Sequence, residues 1–255
     1  MPDCAWEAHF SSAQLSRWQD AIARRFACRK FSGPAGIEQL SALHYAAAKA
    51  ELPGVRLVFG STDSDKLFIN LPLFERFENA RQYIAVIVEK SAPLAALHAG
   101  IAGQAMALEL TSLGLGSCWV MGNFRQQLVQ ADVTEGEKIL ALIPFGIPQD
   151  PEGALNRRRR PLKDLCLDDP AAWPNWAFQA VESMRAAPSA VNLQPWRFSF
   201  HRNTLRLSGR GFPGIDYGIT VLHAECALRE VPRRWRFSAD DKSLLISLEE
   251  DHEPV

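Results

Sequence analysis

The chain has 255 residues, 47% of them hydrophobic and 22% charged, with a formal net charge of −1. That length can bury one large core or two small ones, and the balanced charge gives no bias toward nucleic acid or a membrane surface. The first residues lack a basic-then-apolar leader and no apolar run approaches a membrane span, so a soluble cytoplasmic protein is expected. Five cysteines, Cys4, Cys28, Cys118, Cys166 and Cys226, show no CxxC or Cys/His ligand spacing. They predict buried thiols rather than disulfides or a metal site. The six histidines are equally dispersed, and none is singled out as a triad member.

In chain order, Leu15, Trp18, Ile22 and Phe26 at three- and four-residue spacing predict a helix over Ser12 to Phe26, closed by the basic run Arg24-Arg25 and Arg29-Lys30. A helix over Ile37 to Lys49 follows, then short strands at Val55 to Phe59 and Leu67 to Leu71 and a stronger one at Tyr83 to Val88. Pro93 to Leu113 reads as a long helix rich in Gly and Ala, which lets another helix approach closely. It ends at Gly114-Leu115-Gly116. Lys138 to Pro144 makes a strand, and Gly146-Ile147-Pro148 is expected to turn out of the sheet. Beyond the polar stretch Gln149 to Asn156 come four consecutive arginines, Arg157 to Arg160, and Asp168 to Pro174 reads as a linker. The pattern then restarts, with helices at Trp176 to Arg185 and Ile215 to Glu230 and strands at Arg197 to Phe200, Asn203 to Leu207 and Ser243 to Leu248.

The restart carries a weak internal repeat. Ala46 to Lys49 followed by Val55 to Phe59 parallels Ala180 to Arg185 followed by Trp196 to Phe200, as though the first copy had lost the segment between them. The helices at Pro93 to Leu113 and Ile215 to Glu230 are parallel in the same way.

That intervening decapeptide, Ala187 to Trp196 (APSAVNLQPW), places two prolines around Ser189, Asn192 and Gln194. Such a loop suits an uncharged polar ligand, although Ser189 and Asn192 could equally be satisfying the turn's own backbone. The clusters Arg24/Arg25/Arg29 and Arg157 to Arg160 match phosphate geometry, or else a solvated face paired with acids such as Glu152 and Asp164. Gly114 to Gly122 lacks G-x-G-x-x-G and follows a helix rather than a strand, so the Rossmann fingerprint is absent.

Taken together, these segments resemble a known family. Arg25-Phe26-Ala27-Cys28-Arg29-Lys30-Phe31 resembles the R-x-S-x-R-x-F/Y signature of FMN-dependent nitroreductases, and Leu110 to Trp119 resembles their slGLGtCW helix end. Ile143 to Pro148 is similar to their viPlGyP strand, Arg157 to Leu165 to their basic R-K-P-L tail, and the decapeptide to their APSaxNxQPW loop. The loop lies after the arginine tail rather than in the first third, as in the Thermotoga-type members whose single chain mimics the family dimer. The resemblance therefore implies an α+β nitroreductase-like fold of two similar α/β subdomains, residues 12–168 and 172–250, forming an intrachain pseudo-dimer.

It also implies one FMN per chain between the halves. Arg25 and Arg29 would meet the phosphate, Arg29 alternatively the flavin N1/O2 edge, and Arg157 and Arg159 would complete the phosphate grip. Phe26 and Ala27 share that segment, Pro188, Ser189, Ala190 and Asn192 would line the ribityl chain and ring edge, and main chain at Met121 and Gly122 would lie beside the ring. Ala27 stands where the family has serine, removing a hydroxyl. The implied activity moves electrons from NADH or NADPH through flavin N5 to a small-molecule acceptor such as a nitroaromatic or quinone, with no dedicated catalytic side chain. No nucleic-acid or membrane partner is implied, and the chain would be a monomer (pseudo-dimer) or a homodimer. The alternatives are a non-catalytic FMN store or sensor, a flavin-modifying enzyme, and a structural protein without cofactor.

Overall fold

A computed structural model describes residues 4–62, 64–69, 76–151 and 158–248. Ser11 and Gln14 exchange side-chain bonds with each other's backbone, a reciprocal cap that starts helix α1 (Ser12–Arg24) and leaves Leu15, Trp18, Ala21 and Ile22 on its buried face. Helix α2 (Ile37–Ala50) leads into β2 (Val55–Ser61), which lies at the edge of a five-stranded antiparallel sheet. Its order is β1 (Phe31–Gly33), β5 (Glu137–Pro148), β3 (Gln82–Glu89), β2, with β4 (Gly116–Ser117) also paired to β5. Central strand β3 is buried on both faces: Ile84, Val86 and Val88 join the main core, while Tyr83, Ala85 and Ile87 join a smaller cluster on the other side.

Helix α4 (Ala95–Ser112) is buried almost throughout, as its apolar, small-residue composition demands. It packs against α7 (Ile215–Ala227) at Gly100 and Gly218. A Cβ on Gly100 would lie 2.9 Å from the Gly218 Cα, and one on Gly218 would lie 2.9 Å from the Gly100 Cα. The contact is reciprocal in its flanks: Gly100 faces Ile215 and Ile219, and Gly218 faces Leu97 and Ile101. The two helices therefore cross with local twofold character, and helix α6 (Asn175–Arg185) packs on α7 as α2 packs on α4. A second antiparallel sheet, β6 (Trp196–His201), β7 (Thr204–Gly209), β9 (Ser243–Leu248) and β8 (Arg233–Phe237) in that order, covers the other side. Trp196, Phe198, Leu205, Leu207, Trp235, Phe237, Leu244 and Ile246 point from it into the same core.

Three sequence expectations need correction. Ser64–Leu67 is a single helical turn (α3) and Phe68 makes only an isolated bridge to Phe124, so no strand begins at Leu67; residues 70 and 71 of that expected strand lie outside the described residues. Gly146 to Pro148 does not turn away but continues β5, because β1 and β4 supply hydrogen-bond partners there. The stretch Asp168 to Pro174 is anchored rather than free: Leu167 N–H donates to Phe198 O (2.8 Å), Phe200 N–H to the Asp168 carboxylate (3.1 Å), and Pro170–Ala172 forms a 3-10 turn after the short helix α5 (Leu162–Leu165). Strands β1 and β8 went unread, although Trp235 and Phe237 alternate with arginines in the period-two pattern of a half-buried strand.

Candidate functional site

The arginine signature leaves α1 in extended conformation at Arg25, a buried residue at 5% exposure. Ala27 then forms a parallel bridge with Ser117, and Cys28 N–H donates to Ser117 O at 2.9 Å. This pairing carries Phe26, exposed Ala27 and half-buried Arg29 alongside the segment that follows α4. That segment turns at Gly114 (φ 76°), pairs with β5 through Gly116–Ser117, Cys118 and Val120, and reaches Met121 and Gly122. Gly122 has φ 78°, a conformation that favours glycine, and no atom lies within 4 Å of where its Cβ would be. Main chain there borders open space.

On the second half, the decapeptide is closed by its own side chains. Ser189 Oγ accepts from Gln194 N–H (2.9 Å), and Asn192 and Leu193 N–H donate to Ser189 O and Ala190 O at 3.0 Å each. Asn192 Oδ1 accepts from Arg159 Nη1 (3.1 Å), its Nδ2 donates to Arg158 O (3.0 Å), and Arg159 Nη2 donates to Ala186 O (2.9 Å) just past the end of α6. Buried Gln194 accepts from Arg160 N–H through Oε1 at 2.8 Å. The loop includes Val191, Asn192 and Gln194 at φ 44°, 56° and 49°. Left-handed backbone at a β-branched valine is costly and persists only where the surroundings over-determine it. Ala190 N–H supplies part of that constraint by donating to the Asp216 carboxylate (3.1 Å) in the first turn of α7. Burial raises the Asp216 carboxyl above its usual range, and the Ala190 hydrogen bond opposes that shift.

Of the residues singled out in sequence, Ala27 pairs with the segment that leads to Met121 and Gly122, in a stretch that also carries Arg25, Phe26 and Arg29, and Arg159 bonds the Ala186 carbonyl and Asn192 in the loop that carries Pro188, Ser189 and Ala190. Arg157 lies outside the described residues. The hydroxyl of Ser189 and the amide of Asn192 are engaged in organising the loop, the plainer of the two readings the sequence allowed.

A chain of hydrogen bonds runs from the segment before Met121 to the last turn of α6, which precedes the decapeptide. Trp119 Nε1–H donates to Gln104 Oε1 (3.0 Å), Gln104 Nε2 lies 2.9 Å from His223 Nε2, and His223 Nδ1 lies 2.9 Å from Ser183 O in the last turn of α6. The set is consistent with Gln104 donating to a neutral His223 that donates through Nδ1. Ser183 Oγ returns a bond to His223 O at 2.8 Å. Gln104, His223 and Asp216 were not selected from sequence, and Gln194 only as one polar group of the decapeptide. Their importance depends on partners from about 15 to more than 100 residues away, and only the first-turn acid of α7 left a local mark.

The family model described as "Putative TM nitroreductase" matches residues 18–228. The chain belongs to this nitroreductase family. It is by that membership an oxidoreductase, with a nitroreductase-like α+β fold. Its fold is similar to that of a solved Thermotoga maritima structure described as a putative nitroreductase, with TM-score 0.62 and 22% identity over 95% of this chain and 96% of that one. A Streptococcus pneumoniae nitroreductase family protein is similar at TM-score 0.47 and 14% identity, covering 59% of this chain and 98% of its own. A Clostridium difficile protein named as an FMN-dependent nitroreductase is similar at TM-score 0.41 and 21% identity, covering 52% and 89% respectively. No curated protein matches this nitroreductase-family chain.

Proposed function

We propose that this nitroreductase-family chain is an FMN-dependent oxidoreductase that takes electrons from NADH or NADPH and passes them to a nitroaromatic, quinone or similar acceptor. The observation that carries the reading is the relay from Trp119 to Ser183, which ties the segment before Met121 to the end of α6, shortly before the decapeptide. A flavin mononucleotide is supported by open main chain at Gly122, where a flat ring can approach, and by arginines in the segment after α1 and beside the decapeptide. When bound, FMN supplies the hydride-accepting N5 and an N1 edge that becomes anionic on reduction.

The chain's own residues bind and orient. Arg25 and Arg29 would hold the phosphate, with Arg29 alternatively at the N1/O2 edge, and Arg157 and Arg159 would complete the grip. Pro188, Ser189, Ala190 and Asn192 would line the ribityl side, and a main-chain N–H at Met121 or Gly122 would serve N5. Positive charge near N1 favours the reduced form. The two halves, residues 12–168 and 172–250, act as fused subunits of a pseudo-dimer, supported by the reciprocal crossing of Gly100 and Gly218. The protein operates in the cytoplasm as a monomer or a homodimer.

The visible spectrum of the purified protein is the first test, and a colourless protein that takes up no FMN rejects the cofactor. Anaerobic oxidation of NADH or NADPH with a nitro or quinone acceptor is the second. Exposed Ala27, which lacks the family hydroxyl, favours an FMN store instead, and a yellow protein without turnover would establish that reading.

A further inference from the structure

The twofold crossing of α4 and α7 pairs the surroundings of the proposed flavin site with a second location, against which the chain's N-terminal segment packs. Three correspondences locate it. In the first turn of α7, Asp216 accepts from Ala190 N–H at the junction of α6 and β6; in the first turn of α4, His98 Nδ1 lies 2.9 Å from Pro53 O at the junction of α2 and β2. The register that faces Gly100 with Gly218 also matches His98 with Asp216.

Next, each central helix is followed by a tryptophan whose indole N–H bonds back to that helix, Trp119 to Gln104 and Trp235 to Glu225. Two residues further on stand Met121, beside the proposed flavin ring, and Phe237. Lastly, the carbonyls that close α6 receive Arg159, whereas in the last turn of α2 the Lys49 carbonyl lies 2.9 Å from His9 Nε2.

Trp6 sits among these counterparts. Its indole, fully buried, packs edge-on against His98 (6.0 Å between centroids), Trp235 (6.0 Å) and Phe237 (6.3 Å). The Trp235 main-chain N–H donates to the neighbouring Glu7 carboxylate at 3.3 Å, which holds the segment after α7 against residues 6 and 7. Two polar atoms in the cluster, Trp6 Nε1 and His98 Nε2, are buried and have no hydrogen-bond partner among the described residues. The Trp6 ring therefore fills this space by shape and leaves its own N–H and the far ring nitrogen of His98 unmatched.

We propose that residues 4–10 seal a second, pseudo-symmetric half-site, with the Trp6 indole lying where the ring of a second flavin would lie in a symmetric dimer. The seal makes the molecule single-sited. This inference rests on the flavin reading above for the first site, and its own readout is independent of that site.

The test uses the full chain saturated with FMN. The wild type is expected to hold one flavin per chain by absorbance after release, and two per chain overturns the proposal. Trp6→Gly, saturated with FMN in the same way, is expected to bind lumichrome, a flavin ring system without the ribityl phosphate, at least about tenfold more tightly than the saturated wild type. Equal binding overturns it. If Trp6→Gly does not fold, Trp6→Leu takes its place with the same probe and the same two outcomes. If the wild type takes up no FMN, the cofactor reading of the first site fails, while lumichrome binding by the Trp6 variant still decides this one.

Discussion

Gly100 and Gly218 touch backbone to backbone, each closing the space into which the other's side chain would grow. The main core is gathered around this crossing, so the two helices cannot separate without disturbing both sheets. Replacing either glycine with alanine forces them apart, at an expected cost of about 3 kcal/mol in denaturant unfolding. Because both variants break the same contact, the double variant should cost well under the sum of the singles.

Among the four consecutive arginines, Arg159 alone of the described three gives its side chain to the loop. Arg158 contributes its carbonyl and Arg160 its N–H, groups that alanine retains. Arg159→Ala is therefore expected to loosen residues 189–194 by about 1–3 kcal/mol, read as faster amide exchange in the protein without FMN. Arg158→Ala and Arg160→Ala should leave that exchange near wild type. The same ordering is expected for FMN affinity, with Arg25→Ala joining Arg159→Ala, and equal losses in Arg158→Ala or Lys163→Ala would reject the phosphate assignment.

Glu137 receives both nitrogens of an Arg56 fork, at 2.6 and 2.8 Å, and a third bond from Thr134 N–H. These hold its carboxyl down to about 2. A carboxyl depressed in the folded state stabilises above its unfolded value near 4.5, and that stability is lost as pH falls from there toward about 2. The melting temperature of the wild type should fall across that window more steeply than that of Glu137→Gln, with the two converging at its acid end.

Cys166 is half-buried beside β6, and burial, with Asp168 and Glu182 adding to it, pushes its thiol up to about 11. At pH 7 only about one molecule in 10⁴ then carries the thiolate. The other four cysteines are buried. A disulfide exchange reagent is expected to titrate no thiol rapidly in the native protein and all five after denaturation; one fast native thiol at pH 7 would contradict the assigned environment of Cys166.

The sequence by itself determined most of the helices and strands, though not β1, β8 or the turn at Ser64–Leu67, and which segments resemble the family signature. Those properties are local: the i, i+3, i+4 face of Leu15, Trp18 and Ile22, the unbroken apolar run of Tyr83 to Val88, and the prolines bounding the decapeptide all act through neighbours a few residues away. Strand β8 was equally local and was readable from Trp235 and Phe237. What the tertiary structure alone decided is which side chains are spent on holding the site together. Asn192 is a polar loop residue in the sequence, but the guanidinium of Arg159 engages its amide. His223 and Gln104 are unremarked helical residues until the crossing at two glycines brings them to 2.9 Å across 119 positions. Trp6 has no periodic context at all, and its burial against His98 exists only because the two halves of the chain close around it. Periodicity fixes which face of an element is apolar, whereas the pairing of buried polar groups depends on which faces meet, and that is a property of the packed molecule.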